Sequence, residues 1–149
     1  MTKTWILIAN ASVAFLYEPE WVNSKPTLKL VGEYSHPDSR KKDRQITSDR
    51  EGQYIARTGG HGNFIEASDP HQYEAEVFAR ELFQVIEQGR VNNKYQSLTL
   101  IAAPHFMGLL RQCIDERPLK NVDITEIQKD YTKEKPHDLV KILNLKKPK

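Results

Sequence analysis

The chain has a single cysteine, Cys113, so no disulfide can form within it and no oxidising compartment is called for. It has no long hydrophobic run, and no stretch approaches the ~20 apolar residues needed to span a bilayer. Neither sign of charge dominates, because 22 Lys and Arg stand against 20 Asp and Glu for a formal net charge of +2. Such a balance excludes a strong global field towards nucleic acid or anionic lipid, so any such partner must be held by a local patch. Glycine is scarce outside one segment: four of the seven lie between His36 and Asp69. Nor is a secretory leader expected. Trp5-Ile6-Leu7-Ile8-Ala9 is too short for a signal core, and Asn10 follows where a small-residue cleavage site is wanted. The expected location is cytoplasmic.

At 149 residues the chain is the size of one domain, residues 1–149, and can bury roughly two thirds of its unfolded surface. Trp5 to Ala9 reads as a nearly all-apolar strand. Asn10-Ala11-Ser12 turns it, and Val13-Ala14-Phe15-Leu16-Tyr17 returns as a hairpin. Glu18 to Pro26 reads as a connection, because it contains two prolines. A third strand is expected from Thr27 to about Tyr34, with Leu28 and Leu30 on one face and Gly32 at a bulge or close approach.

After His36 the pattern breaks. From His36 to Asp69 there are six basic and six acidic residues, two histidines and few large aliphatics. Without apolar anchors to offset an ordering entropy of ~1–2 kcal/mol per residue, residues 36–69 are expected to form a mobile polar insertion. Regular structure resumes at Asp69-Pro70, with Asp69 as N-cap, Pro70 at the first helical position and Gln72 completing a capping box. Ala75, Phe78, Ala79, Leu82 and Ile86 recur at helical spacing, Glu76 and Arg80 pair outside, and Gly89 supplies a stop. Leu98 to Ala103 reads as a strand buried on both faces. Pro104 opens a helix with Phe106, Leu109, Leu110, Cys113 and Ile114 along one stripe. A short strand containing Val122 and Ile124 and a last helix from Pro136 through Leu139, Val140 and Leu143 complete the order. Alternating strands and helices in the second half require a mixed sheet with parallel neighbours.

Several residues could carry chemistry. His36, Ser39 and Asp43 invite a serine-hydrolase reading, but triads are defined by geometry and the same residues serve equally in a turn around Pro37. Arg40-Lys41-Lys42-Asp43-Arg44 places four cations in five residues, a patch able to neutralise phosphates without reading bases. Its ordinary alternative is a solvated loop compensated by Asp38, Asp43 and Asp49. Gly59-Gly60-His61-Gly62 could cradle a phosphate or present His61 as a general base, though such a stretch also serves as a plain connector. His61, His71 and Glu74 are the only candidate metal ligands, and no Cys or HExxH pattern joins them, so neither metal nor cofactor is expected. Cys113, Trp5 and Phe106 fall on apolar stripes and read as core. Trp5 to Ala9 contains no carboxylate of the kind that two-metal nucleases place on their first strand.

Taken along the whole chain, certain pieces are familiar. They are Trp5-Ile6-Leu7-Ile8-Ala9-Asn10, His36-Pro37-Asp38-Ser39-Arg40-Lys41-Lys42-Asp43, Ser48-Asp49-Arg50-Glu51-Gly52, and Glu74 with Phe78-Ala79-Arg80. Ala102-Ala103-Pro104 with Gly108-Leu109-Leu110-Arg111, and Lys129-Asp130, extend them. In this order they resemble the host attachment protein family, described as required for attachment to host cells. The resemblance implies a fold similar to the middle domain of eukaryotic and archaeal peptide-release factors, a three-layer α/β architecture of ribonuclease-H-like type. Release factors carry Gly-Gly-Gln on a mobile loop, and this chain has Gly59-Gly60-His61 in a comparable insertion, without the glutamine. The expectation is therefore a non-catalytic interaction module. Its binding residues would be Arg40, Lys41, Lys42, Arg44, Gly59, Gly60 and His61, helped by a basic tail over residues 146–149 with Lys146, Lys147 and Lys149. Its partner would be RNA, a ribosome or a protein inside the cell. The alternative is an esterase or peptidyl-tRNA hydrolase using His61 or His36 as base.

Overall fold

The computed structural model describes residues 3–36 and 70–145. Strand β1 (Thr4–Ala9) lies at the centre of a five-stranded sheet, with β2 (Val13–Val22) antiparallel to it on one side. On its other side β4 (Ser97–Ala102) runs parallel, and β5 (Asp123–Ile127) runs parallel to β4. Strand β3 (Lys25–Ser35) pairs antiparallel with β2 and closes the order β3-β2-β1-β4-β5. Among the described residues, three helices, α1 (Pro70–Val91), α2 (Pro104–Glu116) and α3 (Pro136–Leu143), accompany the sheet in a mixed α/β architecture with the expected element order.

The β1–β2 turn is held by Asn10, whose side-chain oxygen accepts from the Ser12 and Val13 amides at 2.7 and 2.9 Å. Such local bonds are what Asn offers a turn. The stretch from Glu18 to Pro26 is not the expected connection: it belongs to two long strands joined by Asn23 and Ser24 alone, both at positive φ. That two-residue turn suits the twist of a hairpin. The prolines are tolerated because β1 pairs with β2 only as far as Tyr17, so Pro19 has no neighbour on that side, while Pro26 lies on an edge strand. The two-stranded ribbon therefore projects beyond the sheet. The bulge expected near Gly32 is present, since the register passes from Leu16 opposite Gly32 to Tyr17 opposite Leu30 and leaves Val31 as the extra residue. The Tyr34 ring occupies the space a side chain at position 32 would need.

The pleat sorts β1 between two cores. Trp5, Leu7 and Ala9 join Ala14, Leu16, Leu98 and Leu100 beneath Phe78, Leu82, Ile86, Phe106 and Leu110 of α1 and α2. Ile6 and Ile8 point the other way and meet Tyr17, Ile101 and Leu139 of α3. A strand buried on both faces must be apolar at every position, which accounts for Trp5-Ile6-Leu7-Ile8-Ala9.

Gly89 does not stop α1, which continues to Val91. A Cβ at position 89 would lie 2.5 Å from the Trp5 ring, and Trp5 in turn stacks on Tyr95 with ring centres 4.7 Å apart. Gly89 is thus required by packing. The left-handed residue after the helix is Asn93. Nor do Glu76 and Arg80 form an ion pair among the described residues; Glu76 accepts from the Gln72 side chain at 3.0 Å.

Candidate functional site

The carboxyl ends of β1 and β4 are adjacent and parallel, and open α/β sheets bind ligands at such an edge. Asn10 leaves β1 there, Ala103-Pro104-His105 leaves β4, and β3 delivers His36 to the same edge, where the His36 amide donates to the Ser12 carbonyl at 3.0 Å. Helix α1 also begins here, because the Gln72 side-chain oxygen meets His105 Nε2 at 2.7 Å across the helix pair. The described residues on either side of the polar segment, His36 and the start of α1, thus both lie at the edge where a ligand would be expected. The segment's own residues 37–69 lie outside the described residues.

His36 is buried at this edge, its ring standing edge-on to Phe78 at 5.8 Å between centres. Phe78 in turn tilts against Phe106 at 6.1 Å, so the ring of His36 continues an aromatic row of the first core. Across the edge, Asn10 Nδ2 donates to Thr132 Oγ1 at 3.2 Å, and Asp130 accepts from both the amide and the hydroxyl of Thr132 at 3.0 and 2.6 Å. These bonds tie the segment after β5 to the turn after β1. Beside His36, a groove of about 330 Å³ runs between β3 and α1 over Tyr34, Ser35, Phe78, Glu81, Leu82 and Val85. Burial pushes the Tyr34 phenol above its ordinary range.

Of the residues proposed for catalysis or binding, His36 has its side chain described. Ser39, Asp43, Arg40, Lys41, Lys42, Arg44, Gly59, Gly60, His61 and the basic tail 146–149 lie outside the described residues. Glu74 lies on α1, half-buried, and among the described residues no three His, Cys, Asp or Glu side chains gather to hold a metal. Cys113 packs into the first core, and burial, with Glu116 adding to it, raises its thiol above the ordinary value, the opposite of what a nucleophile needs. Asp69, the expected cap of α1, lies outside the described residues. Both ends of the Gln72 amide are engaged, one with Glu76 and the other with His105, so its role is to join α1 to α2. His105 went unremarked in the sequence. Its only signal was its place directly after the proline that opens a helix at the end of a buried strand.

No helix among the described residues is long and apolar enough to cross a membrane. The architecture and the edge define a mixed α/β domain in which Asn10, His36 and His105 gather at the carboxyl ends of parallel strands. Residues 5–143 match the family described as protein required for attachment to host cells, and the chain belongs to that family. Among curated proteins, none matches the chain.

Proposed function

We propose that the protein is a non-catalytic interaction module whose contribution to host-cell attachment is indirect, made inside the cell by binding RNA, a ribosome or a protein. The family description supports a role in attachment. The observation that carries the mechanism is Arg40-Lys41-Lys42-Asp43-Arg44, which begins four residues past His36, the residue that anchors β3 to the carboxyl edge. Four clustered cations favour phosphate contacts, which supply affinity and salt dependence but little sequence preference. Gly59, Gly60, His61 and the tail lysines would add to the same surface. The test is a titration against short single-stranded RNA at two salt concentrations. Each neutralised phosphate should contribute roughly 0.7 to the log–log slope, and replacing Arg40, Lys41, Lys42 and Arg44 with Gln should flatten it. Equal binding by both proteins, or by neither, would remove RNA from the reading and leave a protein partner.

A second reading is favoured by the strand order β3-β2-β1-β4-β5 with β2 alone antiparallel, which supports a ribonuclease-H-like architecture of the kind found in release-factor middle domains. On that reading Gly59-Gly60-His61 serves an esterase or peptidyl-tRNA hydrolase, with His61 or His36 as base. Ester turnover by the wild type that His61→Ala abolishes would establish it; turnover unchanged by that substitution would exclude His61.

A further inference from the structure

The projecting ribbon is amphipathic. Its cross-strand pairs Tyr17–Leu30, Pro19–Leu28 and Trp21–Pro26 share one face, the face of Tyr17 and Leu28 in the α3 core. The alternate pairs Glu18–Lys29, Glu20–Thr27 and Val22–Lys25 share the other. Among the described residues β3 ends the sheet and no strand lies beside its outer backbone edge, where Leu30 is 49% exposed. Neither Lys25 nor Lys29 forms an ion pair among the described residues, although Glu18 stands opposite Lys29. From Lys25 to Leu30 the edge thus alternates cation or Thr with apolar residue, and the bulge at Val31 ends the window.

We propose that this edge receives an extended segment of a partner protein in which acidic and apolar residues alternate, added as a sixth strand. The partner's main chain would continue the ladder on β3, its apolar side chains would lie beside Leu28 and Leu30, and its carboxylates would lie beside Lys25 and Lys29. Lysine, proline and a bulge are also the devices that keep an edge from pairing with itself. Both roles follow from one arrangement. Two copies paired about Thr27 would set Lys25 of each against Lys29 of the other, whereas an acidic strand is attracted by the same two charges. The proposal uses none of the residues from Arg40 to Arg44, so its failure leaves the RNA reading untouched.

The test is fluorescence anisotropy of a labelled ten-residue peptide alternating Glu and Val, titrated with the full chain. A saturable rise is expected, with no rise for a Lys–Val peptide or for a Glu–Val peptide N-methylated at alternate residues. Lys25→Glu with Lys29→Glu, verified as folded by circular dichroism, should weaken Glu–Val binding about tenfold, two cross-strand charge pairs of the usual size being reversed. The same variant should begin to bind Lys–Val. Equal binding of the N-methylated peptide would overturn strand addition, and equal binding of the Lys–Val peptide by the wild type would overturn charge recognition. Failure of the Glu–Val peptide to bind, or its displacement by single-stranded RNA at equal charge, would overturn the proposal outright.

Discussion

The two faces of the sheet are built to different standards. One is roofed by α1 and α2, with 22 and 13 residues, and its core runs unbroken from Trp5 to Phe106. The other is covered by α3, eight residues long, and leaves Leu30 and Ile142 49% and 43% exposed. A long helix pair offers many turns to bury, and each fully buried large apolar side chain stabilises by about 1.5–3 kcal/mol. Two turns of helix offer little of this. The first face therefore holds the fold, and the second has apolar surface left for other uses.

The largest effect should come from the first face. Phe78, 1% exposed, touches both His36 and Phe106, so Phe78→Ala should cost about 3–5 kcal/mol in denaturant unfolding. Leu139 is as deeply buried, yet its short helix can settle into the gap, and Leu139→Ala should cost about 2–3 kcal/mol, the lower part of the usual range. Equal losses at the two positions would mean the faces are equally committed and the comparison is wrong. Gly89→Ala sharpens it differently. Alanine gains up to about 1 kcal/mol in a helix but must displace the Trp5 ring, an overpacking cost of about 1–3 kcal/mol, so a net loss of about 1–2 kcal/mol is expected. A stabilised Gly89→Ala would show that this corner of the first core is loose.

Tyr95 gives the first face a pH signature. Burial, with Glu87 adding to it, holds its phenol well above its ordinary value of 10.0, and its hydroxyl donates to the Ile86 carbonyl at 2.7 Å. A proton held more tightly when folded contributes stability that is whole below pH 10 and is lost as pH rises towards the folded value. Thermal melts of the wild type should therefore fall above pH 10. Tyr95→Phe should cost about 0.5–1.5 kcal/mol at neutral pH for the lost hydrogen bond and make that alkaline decline shallower. It should not abolish the decline, because burial also raises Tyr17 and Tyr34. The smallest effect belongs to the exposed pair of Arg111 with Glu126, where Arg111→Gln should leave the denaturation midpoint essentially unchanged.

The sequence by itself determined the order of elements, the doubly buried β1 and β4, and the apolar stripes of α1 and α2, because burial on a strand or helix leaves a local period that composition displays. It also marked the polar segment after His36, through a loss of that period. The tertiary structure alone decided what the prolines and Gly89 mean. Pro19 and Pro26 read locally as breakers, yet both are strand residues, because a proline is excluded only where a neighbouring strand needs its amide and β2 pairs with β1 only as far as Tyr17. Gly89 read as a helix stop, yet it marks the approach of a ring 84 positions earlier in the chain, from Trp5. Gln72 links α1 to His105 on another helix, a contact no local pattern displays. The candidate site divides in the same way. Its charges are written in one run of sequence, but the described edge is assembled by Asn10, His36 and His105 from three separate strand ends. Such a meeting has no local signature, because it depends on which strands the sheet places side by side.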